Sequence, residues 1–360
     1  MKILDLYIIR KFLFTFLFIT AIFSAIAVVI DLGEKIEDLI TSKAPMGAIL
    51  RYYSVFVPYI AALLAPFFVF IAAIYFTSRM TANSEFVSIL GNGISFYRIL
   101  RPYLVTSMIL AIGLYVGNNW VVPEANKVRQ RFEQEYIHRK IDHHVDIELV
   151  TEKGSDSETN ISLRRYSAQH MEGYQFTLNR IEGHKLIYSI SAPKIQWLPE
   201  DGVWRLPAYS VWTMNQGEEE WQKLQNLDTS FQFTPDDFYF RIEYQESMNT
   251  AELKGFIERE KLKGSEKVPF FEVERHRRTS NAFAVIILTF IAVAFSTRKT
   301  RGGIGLQLAL GLVLSTVFIL FLRFSTTFAT NANVAPLVAV WIPNLFFSAL
   351  ALIFVRMAPK

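Results

Sequence analysis

The chain contains no cysteine. Disulfides and thiolate metal sites are therefore excluded, and the redox compartment is left open. Charge is also scarce: of 360 residues 19% are charged and 51% hydrophobic, too apolar for an ordinary soluble protein of this length. Signatures of catalysis are missing. No G-x-x-x-x-G-K-[ST] occurs, so the chain has no Walker A phosphate loop, and neither H-E-x-x-H nor G-x-S-x-G is present. The glycines of "GNGIS" and "RGGIG" follow no strand and read as loop glycines. His143 and His144 lie beside Asp142 and Asp146, but adjacent residues of a strand point to opposite faces, so no metal site is expected there. "NIS" at 160–162 fits a glycosylation sequon, a pattern common by chance. There is no internal repeat and no low-complexity linker.

What the chain has is long apolar runs. Six stretches carry no charged side chain over roughly 19 residues or more: Phe12–Ile30, Tyr52–Ser78, Pro102–Val122, Thr279–Thr297, Gly302–Leu322 and Val334–Val355. Each is long enough to cross a hydrocarbon core as a helix, and none shows the alternation of a barrel strand. The first is too long for a signal-peptide core and is followed by "IDLGEKIED" rather than a small-residue cleavage site, so it reads as a retained span. The expected fold is an α-helical polytopic membrane protein with six transmembrane helices.

Charge sets the orientation. With six spans, the N-terminus, the 79–101 segment, "STRKTRGG" and the C-terminus share one side. That side holds Lys2, Arg10, Lys11, Arg79, Arg98, Arg101, Arg298, Lys299, Arg301, Arg356 and Lys360 against Asp5 and Glu85. The other side holds the 31–51 loop, where Lys35, Lys43 and Arg51 face Asp31, Glu34, Glu37 and Asp38. Basic residues favour the cytoplasm, so both termini are expected on the cytoplasmic side of the membrane. The same parity places residues 123–278 outside. This insertion contains 27 of the 33 acidic residues but only 22 of the 37 basic ones, and it is long enough to bury a core of its own. The chain thus divides into spans one to three (1–122), an extracytoplasmic domain (123–278) and spans four to six (279–360).

The insertion opens with "EANKVRQRFEQEYIHRKI", a charged helix. Strand-like segments follow: "HVDIELVTE", "TNISLRRYSA", "YQFTLNRIEG", "KLIYSISAPKIQWL", "GVWRLPAYSVWTM" and "TSFQFT". Consecutive short strands with no helix between them predict an all-β sandwich or jelly roll. "NTAELKGFIEREKLKGS" then reads as a helix ending at Gly264.

Between the second and third runs lies "RMTANSEFVSILGNGISFYRILRP", residues 79–102, far longer than a minimal hairpin and with Glu85 as its one acid. At 100° per residue Thr81, Glu85, Ser88 and Asn92 fall within about 60° of one another. Phe86, Val87, Ile89, Leu90 and Ile94, between or just beyond them in the chain, are apolar. The pattern predicts a short amphipathic helix near 81–93, with Gly91 and Gly93 at its end. Surface helices usually offer basic residues to anionic lipid, and this one offers an acid, which suits docking on a cytoplasmic protein. The spans hold no internal ionisable pair of the kind proton-coupled carriers use. Arg323, near the outer end of the fifth run, is either a snorkelling arginine or a binder of headgroup phosphate.

At this point the chain resembles the lipopolysaccharide export permeases LptF and LptG, the YjgP/YjgQ family. The resemblance is carried by "LDLYIIRKF", "SEFVSILGNGISFYRILRP", "NNWVVPEANKVRQRF", "GVWRL", "MNTAELKGFIERE" and "STRKTRGGIGLQLALGL", six motifs in order over nearly the whole length. It implies a heterodimer with a second such permease, a cytoplasmic ATP-binding subunit dimer, periplasmic bridge proteins and a single-span anchor. It also implies a periplasmic jelly roll inserted between the third and fourth spans. The cargo would be lipopolysaccharide, extracted from the inner membrane toward the outer one. No cofactor, nucleic-acid partner or catalytic residue is implied in this chain, since ATP would be held by the partner. The family's coupling helix falls on Ser84, Glu85, Phe86, Ile89, Leu90, Gly91 and Gly93, with Glu85 matching the acid that engages the ATPase. Lipid contacts would fall on Arg323 and Lys35. Relatives often carry lysines at the outer end of the first span, whereas here "IDLGEKIEDLI" sets four acids around Lys35.

Two other classes fit the sequence less well. Lipoprotein-release and macrolide-export permeases place their outer domain after the first span, not the third. A membrane-anchored extracytoplasmic sensor or a membrane enzyme would need a cytoplasmic effector domain or catalytic polar groups in the spans, which the sequence lacks.

Overall fold

The computed structural model describes residues 3–137, 143–153, 157–167, 170–182, 185–199, 201–215, 218–231, 242–262, 265, 267–298, 302–331 and 334–358. Its contacts divide the chain into two compact units. The first comprises Met1–Ile137, Gln245–Leu253 and Pro269–Lys360; the second comprises His138–Tyr244 and Lys254–Val268.

The first unit is helical: α1 (Ile3–Ser42), α2 (Met46–Leu63), α3 (Ala65–Ala82), α4 (Glu85–Gly91), α5 (Phe96–Ile137), the start of α6 (Thr250–Leu262), α7 (Val268–Ser296), α8 (Gly303–Asn331) and α9 (Pro336–Met357). Among the described residues seven helices, all but α4 and α6, are long and apolar enough to cross a membrane.

Residues 31–42, expected as a loop, instead continue α1. The segment has no proline, Asp31 and Lys35 pair one turn apart at 2.7 Å, and Leu39 joins Tyr52, Phe56 and Phe132 in a buried cluster. At 1.5 Å per residue a helix of this length runs about 60 Å, twice a hydrocarbon core. Lys43, in the left-handed region at φ 54°, and Pro45 turn the chain into α2. The single apolar run Tyr52–Ser78 is split between α2 and α3 at Leu64. Pro66 has no N–H to continue the ladder, while the bonds Leu64 N–H to Ile60 O and Phe68 N–H to Leu64 O, both 3.0 Å, carry the helical course across the break. The charged helix expected after residue 123 is the far end of α5, interrupted by π turns at Gly117–Val121 and Glu133–Ile137.

Burial separates the helices into two kinds. In the apolar stretches of α3 and α7, 72% and 61% of residues are buried, against 6% in α1 and 22% in α8. The core therefore runs along α3 and α7 and includes Phe70, Ile74, Leu288 and Ile291. A tie between them is Thr81, whose hydroxyl is placed against the carbonyls of Thr77 (3.0 Å) and Ser296 (2.9 Å). Gly311 of α8 lies so close to Ile74 that a Cβ there would fall 2.2 Å from its δ-methyl, the close approach that a glycine permits. The outward faces of α1 and α8 stay apolar, with Phe14, Leu17, Phe18, Val313 and Phe328 exposed.

The second unit is built on an antiparallel sheet of β1 (His143–Lys153), β2 (Ser157–Ser167), β3 (Glu172–Glu182), β4 (Lys185–Leu198), β5 (Val203–Asn215) and β6 (Glu218–Thr229). Strand order follows sequence order, so among the described residues the sheet is a meander, without the crossovers of the jelly roll expected from the sequence. Few residues separate successive strands along the chain, which favours pairing with the immediate neighbour. Leu163, Phe176, Ile195, Trp204 and Leu206 are fully buried and form its core. The first five strands fall where alternation predicted them, β4 over the same residues. The sixth does not: β6 is "EEEWQKLQNLDT", and the expected "TSFQFT" contributes Thr229 to its end, with residues 232–234 and Asp142 outside the described residues.

Candidate functional site

At one end of the helical unit, α3 stops at Asn83 and the chain reverses through Ser84, held in the left-handed region at φ 59°. The Ser84 carbonyl then accepts from Ser88 N–H (3.0 Å) and from the Ser88 hydroxyl (2.9 Å), starting α4. Gly93 at φ 80° lets the chain leave it. Phe86 is fully buried with its ring 6.5 Å from that of Phe96, and Ile89 and Leu90 pack partly against the same core. Ser84, Ser88, Gly91, Asn92 and Gly93 are exposed.

Two sequence expectations are corrected here. Val87, placed on the apolar face, is 55% exposed and projects from α4. Thr81, placed on the polar face, belongs to α3 and is buried. For Thr81 the cause is the break at Asn83–Ser84, across which angles counted back from Glu85 do not carry. Val87 lies one residue, or about 100°, past Phe86, outside the narrow stripe of Phe86, Ile89 and Leu90 that packs on the core.

Glu85 is half-buried and held by its neighbours. One carboxylate oxygen accepts from the Tyr7 hydroxyl of α1 at 3.2 Å and the other from the Asn83 amide at 3.3 Å. Close by in the chain, Arg98 of α5 grips Asp5 of α1 through two parallel bonds of 2.7 and 2.8 Å. Neither contact was foreseen, since the partners lie 78 and 93 positions apart.

A second polar assembly, unsuspected from the sequence, lies some 30 residues further along α1, about 45 Å by helical rise. Lys35 pairs with Asp31 at 2.7 Å and with Glu133 of α5 at 2.9 Å, donates to the Tyr52 hydroxyl, and sits 4.9 Å from the centre of that ring. Glu133 in turn accepts from Arg129 at 3.5 Å, and Arg129 covers the Tyr59 ring at 4.3 Å and approaches Glu246 at 3.9 Å. Glu246 accepts from Arg277 of α7 at 3.2 Å. Glu274 accepts from both Arg277 (2.8 Å) and Arg278 (3.0 Å), and Arg278 also donates to the Gln245 carbonyl at 3.0 Å. Thr250 bonds Asn119 in the first π turn of α5. Asp31, Glu133, Glu246 and Glu274 thus balance Lys35, Arg129, Arg277 and Arg278. This network clasps α1, α2, α5, α7 and the 245–250 segment together.

The two residues expected to meet lipid fare differently. Lys35 is committed to this network. Arg323 lies on the exposed face of α8, and no acidic partner approaches it among the described residues.

Long apolar helices exposing apolar faces, with a central antiparallel sheet, define a multi-pass membrane protein. The chain belongs to the LptF/LptG family: the family model described as lipopolysaccharide export system permease LptF/LptG matches residues 6–357. No individual curated protein matches it at a significant level. It is a permease of the lipopolysaccharide export system.

Proposed function

We propose that this permease crosses the bacterial cytoplasmic membrane six times and is moved by a separate ATPase that docks on α4. Match to the family over 6–357 carries the reading, and the shape of α4 supports it. The helix is anchored on one side by Phe86 and offers Val87, Ser88, Gly91 and Asn92 on the other. A rigid, half-exposed helix between two spans can enter a groove on a cytoplasmic protein and pass force inward, where a flexible loop would absorb it.

Six crossings follow if α2 and α3, which continue each other across Leu64, count as one broken span. The basic residues then fall inside, with α4 and both termini, and the sheet falls outside, in the periplasm. The exposed apolar faces of α1 and α8 provide room for a second permease of the same family, with the lipid between them. Arg323, with no acidic partner among the described residues, is suited to a headgroup phosphate, because a guanidinium presents paired donors to one. Affinity purification of the tagged chain in mild detergent tests the reading. A cytoplasmic ATP-binding protein, a second permease and lipopolysaccharide are expected in the mass spectra of the eluate. An eluate holding the chain alone from cells that express the whole system would contradict it.

A further inference from the structure

We infer that Asp5, Tyr7 and Arg98 form the link by which displacement of α4 reaches α1. The inference rests on the reading that an ATPase docks on α4.

α1 is the least buried of the long helices, and its burial is unevenly placed. Asp5, Ile8, Ile9 and Phe12 are buried at its foot, and beyond them only Ser24 and Leu39 are. Between the foot and the distant polar clasp α1 is held by Ser24 and by the Phe23 ring against Phe67 and Phe68, at 5.9 and 5.4 Å, and the foot is its most continuously buried stretch. Three contacts grip the foot. The paired bonds between Asp5 and Arg98 tie it to the first turn of α5. The Tyr7 hydroxyl ties it to Glu85 at the start of α4. The Phe12 ring lies 5.6 Å from Tyr103, whose hydroxyl is bonded to Thr77 of α3 at 2.9 Å.

The geometry favours transmission over mere anchoring. Only residues 92–95 separate α4 from α5, and Phe86 against Phe96 makes the two helix starts one packed block. A carboxylate held by both donors of a guanidinium fork resists rotation as well as sliding, which a single hydrogen bond does not. Asp5 is buried, so water competes poorly for the pair. A push on the exposed side of α4 therefore acts on the foot of a helix whose middle is mostly exposed. Asp5, Tyr7 and Arg98 are positioning residues; none needs to touch ATP or lipid. Coupling of this kind requires a contiguous physical connection, and these side chains supply it.

The test uses the full complex, with its ATPase and partner permease, in proteoliposomes. ATPase co-purification, ATP turnover and lipopolysaccharide released per ATP are measured for Asp5→Asn, Tyr7→Phe and the exchange Asp5→Arg with Arg98→Asp. The ATPase is expected to remain bound and active in all of them. Lipid released per ATP is expected to fall about tenfold in Asp5→Asn, the scale of a lost hydrogen bond to a charged group. A smaller fall is expected in Tyr7→Phe, which removes one oxygen and leaves the packing intact, and the exchange should recover much of the ratio. A wild-type ratio in both single variants overturns the link, as does a fall in which hydrolysis and release drop together with the ratio unchanged. Wild-type complex that binds no ATPase instead overturns the docking reading itself, and the link with it.

Discussion

Glu274 shows how much of this molecule is settled by single side chains. It is 6% exposed and accepts from two guanidiniums, Arg277 and Arg278, of which Arg278 is itself only 3% exposed. Removing it strands positive charge where water cannot reach, and breaking a buried pair from one side typically costs about 3–5 kcal/mol. Glu274→Ala should therefore lower the unfolding midpoint of the full chain in detergent markedly, and Glu274→Gln, which keeps a carbonyl acceptor, should lower it less. Equal midpoints for both variants and wild type would show that the network contributes nothing to stability. None of this was legible in the sequence. "VERHRR" reads as a charged lead-in to a span, and Glu246 and Glu133 lie too far along the chain for spacing to suggest them. Lys35 is the same lesson from the other side. Four acids surround it in sequence, yet of these only Asp31 pairs with it, and its second acid, Glu133, comes from another helix. Glu85 was legible as the lone acid of its segment, but its bond to Tyr7 was not.

The helices were legible wherever apolar length alone decides, and less so at their ends. Residues 31–42 carry enough charge to resemble a loop, but helix continues there because packing of Leu39 and the Asp31–Lys35 pair reward it. β6 was missed because its side chains face water over most of its length, leaving no alternation to read. In α4 apolar character alone put Val87 with the buried residues, whereas this short helix buries only the stripe of Phe86, Ile89 and Leu90. If an ATPase docks on α4 as proposed, an apolar side chain 55% exposed there is the one its groove would cover. Val87→Asp should reduce co-purification of the ATPase by about tenfold or more. Full retention of the ATPase by Val87→Asp would remove α4 from the interface.

At the scale of the whole molecule, the sequence predicted a helical membrane protein with an inserted β region, and that is what the chain forms. The meander order of the strands was not predictable, because alternation marks strands without saying which neighbours pair. Orientation rests on charge, and the absence of cysteine makes it directly measurable. Cysteines introduced at Ser84 in the α4 turn and at Asp201 in the β4–β5 turn should react oppositely with an impermeant reagent in cells with a permeabilised outer membrane. Asp201→Cys should label and Ser84→Cys should not; the reverse pattern would invert the topology.

The central claim is that this chain moves lipopolysaccharide with energy supplied by another subunit. Proteoliposomes holding the purified chain, its partner permease, its ATPase and lipopolysaccharide, supplied with the periplasmic acceptor, test it most directly. Lipid should reach the acceptor only when ATP is hydrolysed, and Glu85→Lys, which reverses the charge that Tyr7 and Asn83 hold in place, should abolish that transfer. Transfer that proceeds equally without ATP, or that survives Glu85→Lys at the wild-type yield per ATP, would contradict the account.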